Sequence, residues 1–146
     1  MSYQNTFGLL FSFCCLTVFM GGCKRDLPVN IPVDPLPENT FGGEKDDYGM
    51  GGLAAADGFY MIGTSNSYGA GGDMLLLKAN LDGEVEWHKT FGGTGFESGM
   101  RMIELVDGLL LLGTTNSAGS GLDDFYLVKV TRDGELIWEK TFGTPG

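Results

Sequence analysis

Asp82-Gly83-Glu84-Val85-Glu86-Trp87-His88-Lys89-Thr90-Phe91-Gly92-Gly93 decides the fold, because most of it comes back. Its second appearance is Asp133-Gly134-Glu135-Leu136-Ile137-Trp138-Glu139-Lys140-Thr141-Phe142-Gly143. The closing Thr-Phe-Gly-Gly also stands earlier, at Thr40-Phe41-Gly42-Gly43, so the motif recurs after fifty and then fifty-one residues. Working outward, Asp57-Gly58 aligns with Asp107-Gly108, Gly63-Thr64 with Gly113-Thr114 and Asn66-Ser67 with Asn116-Ser117. Asp73 aligns with Asp124 and Lys78 with Lys129, with one extra residue near Leu122 or Asp123. A repeat of this length marks a stacked or radial architecture, in which one unit cannot bury its apolar face alone.

Within each unit the chain reads as short strands separated by turns, with no helical period. Gly51 to Ala56 and Arg101 to Val106 are first strands. The pairs Asp57-Gly58 and Asp107-Gly108 then turn the chain, since glycine tolerates positive φ and aspartate bonds its own backbone. Phe59 to Thr64 and Leu109 to Thr115 are continuous apolar runs, which predicts burial on both faces. Glycine-rich loops follow at Ser65 to Gly72 and Asn116 to Asp123, and third strands at Asp73 to Ala79 and Asp124 to Val130. In the fourth strands Val85, Trp87, Lys89 and Phe91 alternate with Glu84, Glu86, His88 and Thr90, and Leu136, Trp138, Lys140 and Phe142 repeat the bulky face.

Four short antiparallel strands in about fifty residues are the content of one propeller blade. The run of Asp73 to Lys78, the Asp82-Gly83 turn, Trp87 and Thr90-Phe91-Gly92-Gly93 resembles the bacterial seven-bladed β-propeller repeat of secreted proteins and lipoproteins. The likeness covers residues 40 to 146. It implies an extracytoplasmic propeller with no common catalytic site. Asp82-Gly83-Glu84-Val85-Glu86-Trp87 is also similar to the tryptophan-docking repeats of quinoprotein and outer-membrane assembly propellers, which usually lack the Thr-Phe-Gly-Gly.

The expected fold is therefore all-β, with two four-stranded antiparallel propeller-type blades at residues 40–89 and 90–140. Residues 141–146 begin a further copy. Two blades do not close a ring, and an open sheet edge invites pairing with another chain. A piece of a longer gene, a ring of several copies and a two-blade remnant are the three readings, and the stub from Thr141 favours the first. Self-association through open blade edges is expected on the same ground.

The N-terminus carries an apolar run from Phe7 to Met20. A bilayer span needs roughly 20 residues, so this shorter run followed by small residues reads as a secretory signal, residues 1–22. Met20-Gly21-Gly22-Cys23 resembles a bacterial lipobox, with Met20 in place of the usual leucine. The resemblance implies cleavage before Cys23, a lipid on Cys23 and anchorage of the protein in the bacterial cell envelope, at the outer membrane or the cell surface. Cys14 and Cys15 fall in the removed segment, so the mature chain forms no internal disulfide. Residues 23–39 hold four of the five prolines. That composition reads as an extended, semi-rigid tether.

The net charge is −10. No Lys/Arg stripe is present to neutralise phosphates, so nucleic acid is not an expected partner. His88 is the lone histidine, and a transition-metal site would rest on carboxylates alone. No Ser-His-Asp arrangement or nucleophile elbow is legible. The aspartates before glycine read as turn formers rather than calcium ligands. No catalytic residue, metal or cofactor is expected. Trp87 and Trp138 read as structural, each locking its blade to a neighbour.

The glycine-rich loops are the candidate ligand sites, through Asn66, Ser67, Asn116 and Ser117, because loops on a rigid β scaffold commonly carry binding. The expected role is non-catalytic binding or scaffolding of a protein or glycan. The alternative is a fragment of a quinoprotein-like or hydrolytic propeller enzyme whose catalytic blades lie elsewhere. Mass spectrometry of the mature N-terminus should find acyl groups on Cys23. A Cys23→Ala chain should leave the detergent phase on phase separation, and retention there would remove the lipid anchor.

Overall fold

In the computed structural model, residues 39–120 and 122–145 are described, and all belong to one compact unit. The expected signal segment, Cys23 and most of the tether lie outside the described residues. The chain forms eight strands: β1 (Asp47–Ala55), β2 (Gly58–Ser65), β3 (Asp73–Ala79) and β4 (Val85–Phe91), then β5 (Glu97–Leu105), β6 (Gly108–Thr115), β7 (Asp124–Val130) and β8 (Leu136–Phe142). They make two antiparallel four-stranded sheets, ordered β1-β2-β3-β4 and β5-β6-β7-β8. The fold is all-β, with the strand content of two propeller-type blades.

The third strands run as the sequence predicts. The first strands do not: β1 begins at Asp47 and β5 at Glu97, four residues before the expected starts. The expected strand opens at Gly51, yet Tyr48-Gly49-Met50-Gly51-Gly52 already pairs with Met61–Thr64 of β2 across a bulge between Gly49 and Gly51. Glycine is needed opposite it as well. A Cβ on Gly63 would stand 1.8 Å from the Tyr48 carbonyl oxygen, so no other residue fits without moving the strand.

The alternation in the fourth strand also needs correction. Trp87 pairs with Lys78, whereas Val85 pairs with Ala79, so Glu86 is an extra residue at a bulge. Adjacent positions on β3 point to opposite faces. Val85 therefore lies on the face opposite Trp87, and Leu136 on the face opposite Trp138 through the same shift. A bulge is one of the few local devices that breaks strand parity, and period counting does not register it.

Register defines two kinds of face. Tyr60, Ile62, Met74, Leu76, Trp87 and Phe91 share one face of sheet 1. Leu109, Leu111, Tyr126, Val128 and Val130 share one face of sheet 2. These two faces form the hydrophobic core, with Leu53, Ala55, Trp87 and Met102 at its margin. Fully burying a Leu, Ile or Val contributes about 1.5–3 kcal/mol, so this contact holds the two sheets together. Polar ties flank it. The Tyr60 hydroxyl donates to the Arg132 carbonyl at 3.0 Å, and Lys89 pairs with Glu135 at 2.8 Å.

Trp87 stands between the sheets, its ring 6.0 Å from that of Tyr60 and its edge against Gly134. Trp138 occupies the same register position on the far side of sheet 2, where no sheet covers it. The two should therefore differ in weight. Trp87→Ala should cost about 2–3 kcal/mol in a denaturant melt, somewhat below a fully buried tryptophan, and Trp138→Ala less than about 1. Equal losses would show that Trp138 is covered after all.

Candidate functional site

The loops at one rim of the sheets are organised around two acids that begin the first strands, half-buried Asp47 and fully buried Glu97. Asp47 accepts from Ser65 Oγ at 2.5 Å, Ser67 Oγ at 2.8 Å and the Gly43 amide at 2.8 Å. Glu97, at the same place in the second repeat, accepts from Thr115 Oγ1 at 2.6 Å, the Gly93 amide at 3.0 Å and the Ser117 amide at 3.3 Å. Each acid thus ties the Thr-Phe-Gly-Gly segment before a strand to the loop after the next one.

The four loop residues singled out from sequence belong to these knots. Asn66 donates its side-chain amide to the Asp46 carbonyl at 2.9 Å, and Ser67 bonds both Asp47 and the backbone of Lys45. Asn116 Oδ1 accepts the Phe96 amide at 2.6 Å, and Ser117 Oγ accepts the Gly95 amide at 2.7 Å. Their polar atoms hold the loops in shape. Sequence reasoning missed Asp47 and Glu97 themselves, although they align across the repeat, as Ser65 does with Thr115.

Burial disfavours the Asp47 charge, but hydrogen bonds from Ser65, Gly43 and Ser67 outweigh it and lower its pKa to about 2. A carboxyl held below its unfolded value stabilises the fold above that value, and the contribution is lost as pH falls from about 4 towards 2.

Across the sheet–sheet contact, Asp73 meets Glu97. Asp73 Oδ2 accepts the Ala70 amide at 2.8 Å, while its Oδ1 is buried without a hydrogen-bond partner. Burial raises the Asp73 pKa, and the charge of Glu97 and a bond to its carboxylate raise it further. Burial also works against the Glu97 charge, but the Ser117, Thr115 and Gly93 bonds prevail and lower its pKa. The two acids are thus pushed in opposite directions, Asp73 towards its neutral form and Glu97 towards its charged one.

Beside this pair opens a polar cavity of about 330 Å³, lined by Gly92, Gly93, Ser117, Ala118, Tyr126 and Glu139 among others. The Tyr126 hydroxyl donates to Glu139 Oε2. Burial raises the Tyr126 pKa, and the Glu139 bond adds to it. The cavity exists because the repeats diverge here. In the first repeat Tyr68 fills the equivalent space, stacked 5.5 Å from Phe41 and tilted against His88 at 4.6 Å. Ala118 aligns with Tyr68 and Glu139 with His88. His88, lone in the sequence, is thus a member of an aromatic stack.

A second, mostly apolar cleft of about 200 Å³ lies on the outer face of sheet 1, between Phe41 and the side chains of Met61, Leu75, Leu77 and Val85. Among the described residues no group of three potential metal ligands converges, and no helix is long and apolar enough to cross a membrane. No known protein family matches the chain, and no curated protein matches it.

Asp73 contributes stability that is complete below its unfolded pKa and is lost as pH rises through its higher folded value. Asp73→Asn keeps an acceptor for Ala70, supplies an amide donor to Glu97 and carries no charge. It should raise the melting temperature at pH 7 and remove the decline in stability above about pH 4 that the buried acid causes. A lower melting temperature at pH 7 would show that the ionised Asp73 is the stabilising form.

Proposed function

We propose that the chain is a membrane-anchored lipoprotein of the bacterial cell envelope whose β-propeller-type repeats serve as a non-catalytic binding or scaffolding module. The apolar run from Phe7 to Met20, the Gly21-Gly22-Cys23 junction and the absence of any cysteine beyond Cys23 support the anchor. The all-β repeats in register support the module. The observation that carries a binding role is the polar cavity beside Ala118.

Its lining offers the Thr141 hydroxyl and the Glu139 carboxylate beside the ring of Tyr126, while Thr115 and Ser117 are held by the loop and shape its floor. That set matches the hydroxyl-rich, weakly apolar surface of a sugar unit, so a glycan is the favoured ligand over a protein. A rigid strand scaffold holds each of these groups, which lowers the ordering cost on binding.

Saccharides from bacterial envelope polymers, titrated calorimetrically into the detergent-solubilised full chain, test the reading. Ala118→Tyr, which refills the space as Tyr68 does in the first repeat, should weaken binding by about tenfold or more. Glu139→Gln should weaken it less. Undiminished binding by Ala118→Tyr, or no binding by the unaltered chain, overturns the cavity as a glycan site.

A further inference from the structure

The polar cavity beside Ala118 differs from its filled counterpart in charge as well as in space. Where the first repeat sets Tyr68 and His88, the second sets Ala118 and Glu139. The first difference opens the cavity, and the second puts a carboxylate on its wall. Register fixes which way that group faces. Glu139 pairs with Val128 and Thr141 with Tyr126, so all four share the face of sheet 2 that looks towards sheet 1. Lys140 borders the same cavity, but its side chain belongs to the opposite face of the sheet. Its ammonium lies over the Trp138 ring, 5.3 Å from the centroid.

Glu139 has no cation of its own among the described residues. Lys78, Lys89, Lys129 and Arg132 each pair with an Asp or Glu, and Glu139 is none of these. Its hydrogen bond comes from the Tyr126 hydroxyl, to Oε2, which leaves Oε1 to accept from elsewhere. More acid stands close by. Gly92 lines the cavity, and a Cβ there would lie 2.1 Å from Glu97 Oε2 and 2.6 Å from Asp73 Oδ1, the oxygen buried without a partner. Glu97 is kept in its charged form by its hydrogen-bond donors. Charges of one sign around a recess in the protein focus their potential within it.

We propose, on the glycan reading of the cavity, that the sugar bound here is an amino sugar whose ammonium donates to Glu139 Oε1 while its ring takes the space left at Ala118. An ammonium carries three donors and no acceptor, which suits a wall whose charged group only accepts. An acetamide in its place brings one donor and no charge. A uronic acid sets a carboxylate against carboxylates. The net charge of −10 draws any cation towards the chain, but only the cavity gives an amino sugar a fixed partner.

The β-1,4 tetramers of glucosamine, N-acetylglucosamine and glucose share a backbone and differ at one substituent, which is ammonium, acetamide or hydroxyl. Each is titrated calorimetrically into the detergent-solubilised full chain at about pH 6, where a sugar amine is protonated. The glucosamine tetramer should bind about fivefold tighter than the other two, the scale of one solvent-accessible ion pair. Glu139→Gln keeps an acceptor for the Tyr126 hydroxyl and should bring the tetramers to equal affinity. Glu44→Gln removes a charge outside the cavity and should leave the preference intact. Equal or tighter binding of the acetylated or the neutral tetramer by the unaltered chain overturns the proposal and leaves the glycan reading standing. No binding of any tetramer overturns both. A preference that survives Glu139→Gln, or that Glu44→Gln removes as fully, comes from the overall charge and also overturns the proposal.

Discussion

Central strands that are apolar on both faces impose the constraint on which the rest of this structure depends. β3 is buried at all of its seven residues, from Asp73 to Ala79. A sheet with such a strand at its middle cannot face water on either side without exposing Leu or Met, and must be covered twice. One covering is internal, where sheet 1 meets sheet 2. On the other side of sheet 1 Leu75 and Leu77 are buried too, next to Thr40 and Phe41, and the apolar cleft lies at the margin of that cover.

The acids at the rim follow from the same stacking. Two sheets packed face to face bring the start of β3 against the start of β5, and with them Asp73 and Glu97. Burial and the neighbouring charge disfavour ionisation of Asp73, while the charge of Glu97 is stabilised by three donors. The knots around Asp47 and Glu97 then fix the connecting segments, and with them the spacing of successive sheets. Loop residues that look free in a glycine-rich sequence are in this way committed to backbone partners.

Much of the architecture was legible in the residues. The recurrence of Asp-Gly, Trp and Thr-Phe-Gly-Gly located the strands and turns, and positive φ at Gly83 and Gly134, 80° and 78°, bears out the turn chemistry. Three things were hidden. The glycines near Gly51 masked the first half of β1, because a bulge uses the same residues as a loop. The insertion of Glu86 reversed the face of Val85. The cavity beside Ala118 depends on a missing side chain, and only alignment of Ala118 with Tyr68, read in three dimensions, shows it.

All four border strands, β1, β4, β5 and β8, carry a bulge, at Met50, Glu86, Met100 and Ile137. An unbroken border ladder is a template for the runaway stacking of amyloid, since every exposed amide finds an incoming carbonyl in step. An extra residue puts donors and acceptors out of step for any straight intruder. The kinks thus act as a guard against fibrillation, built into every strand that has a neighbour on only one side within its own sheet.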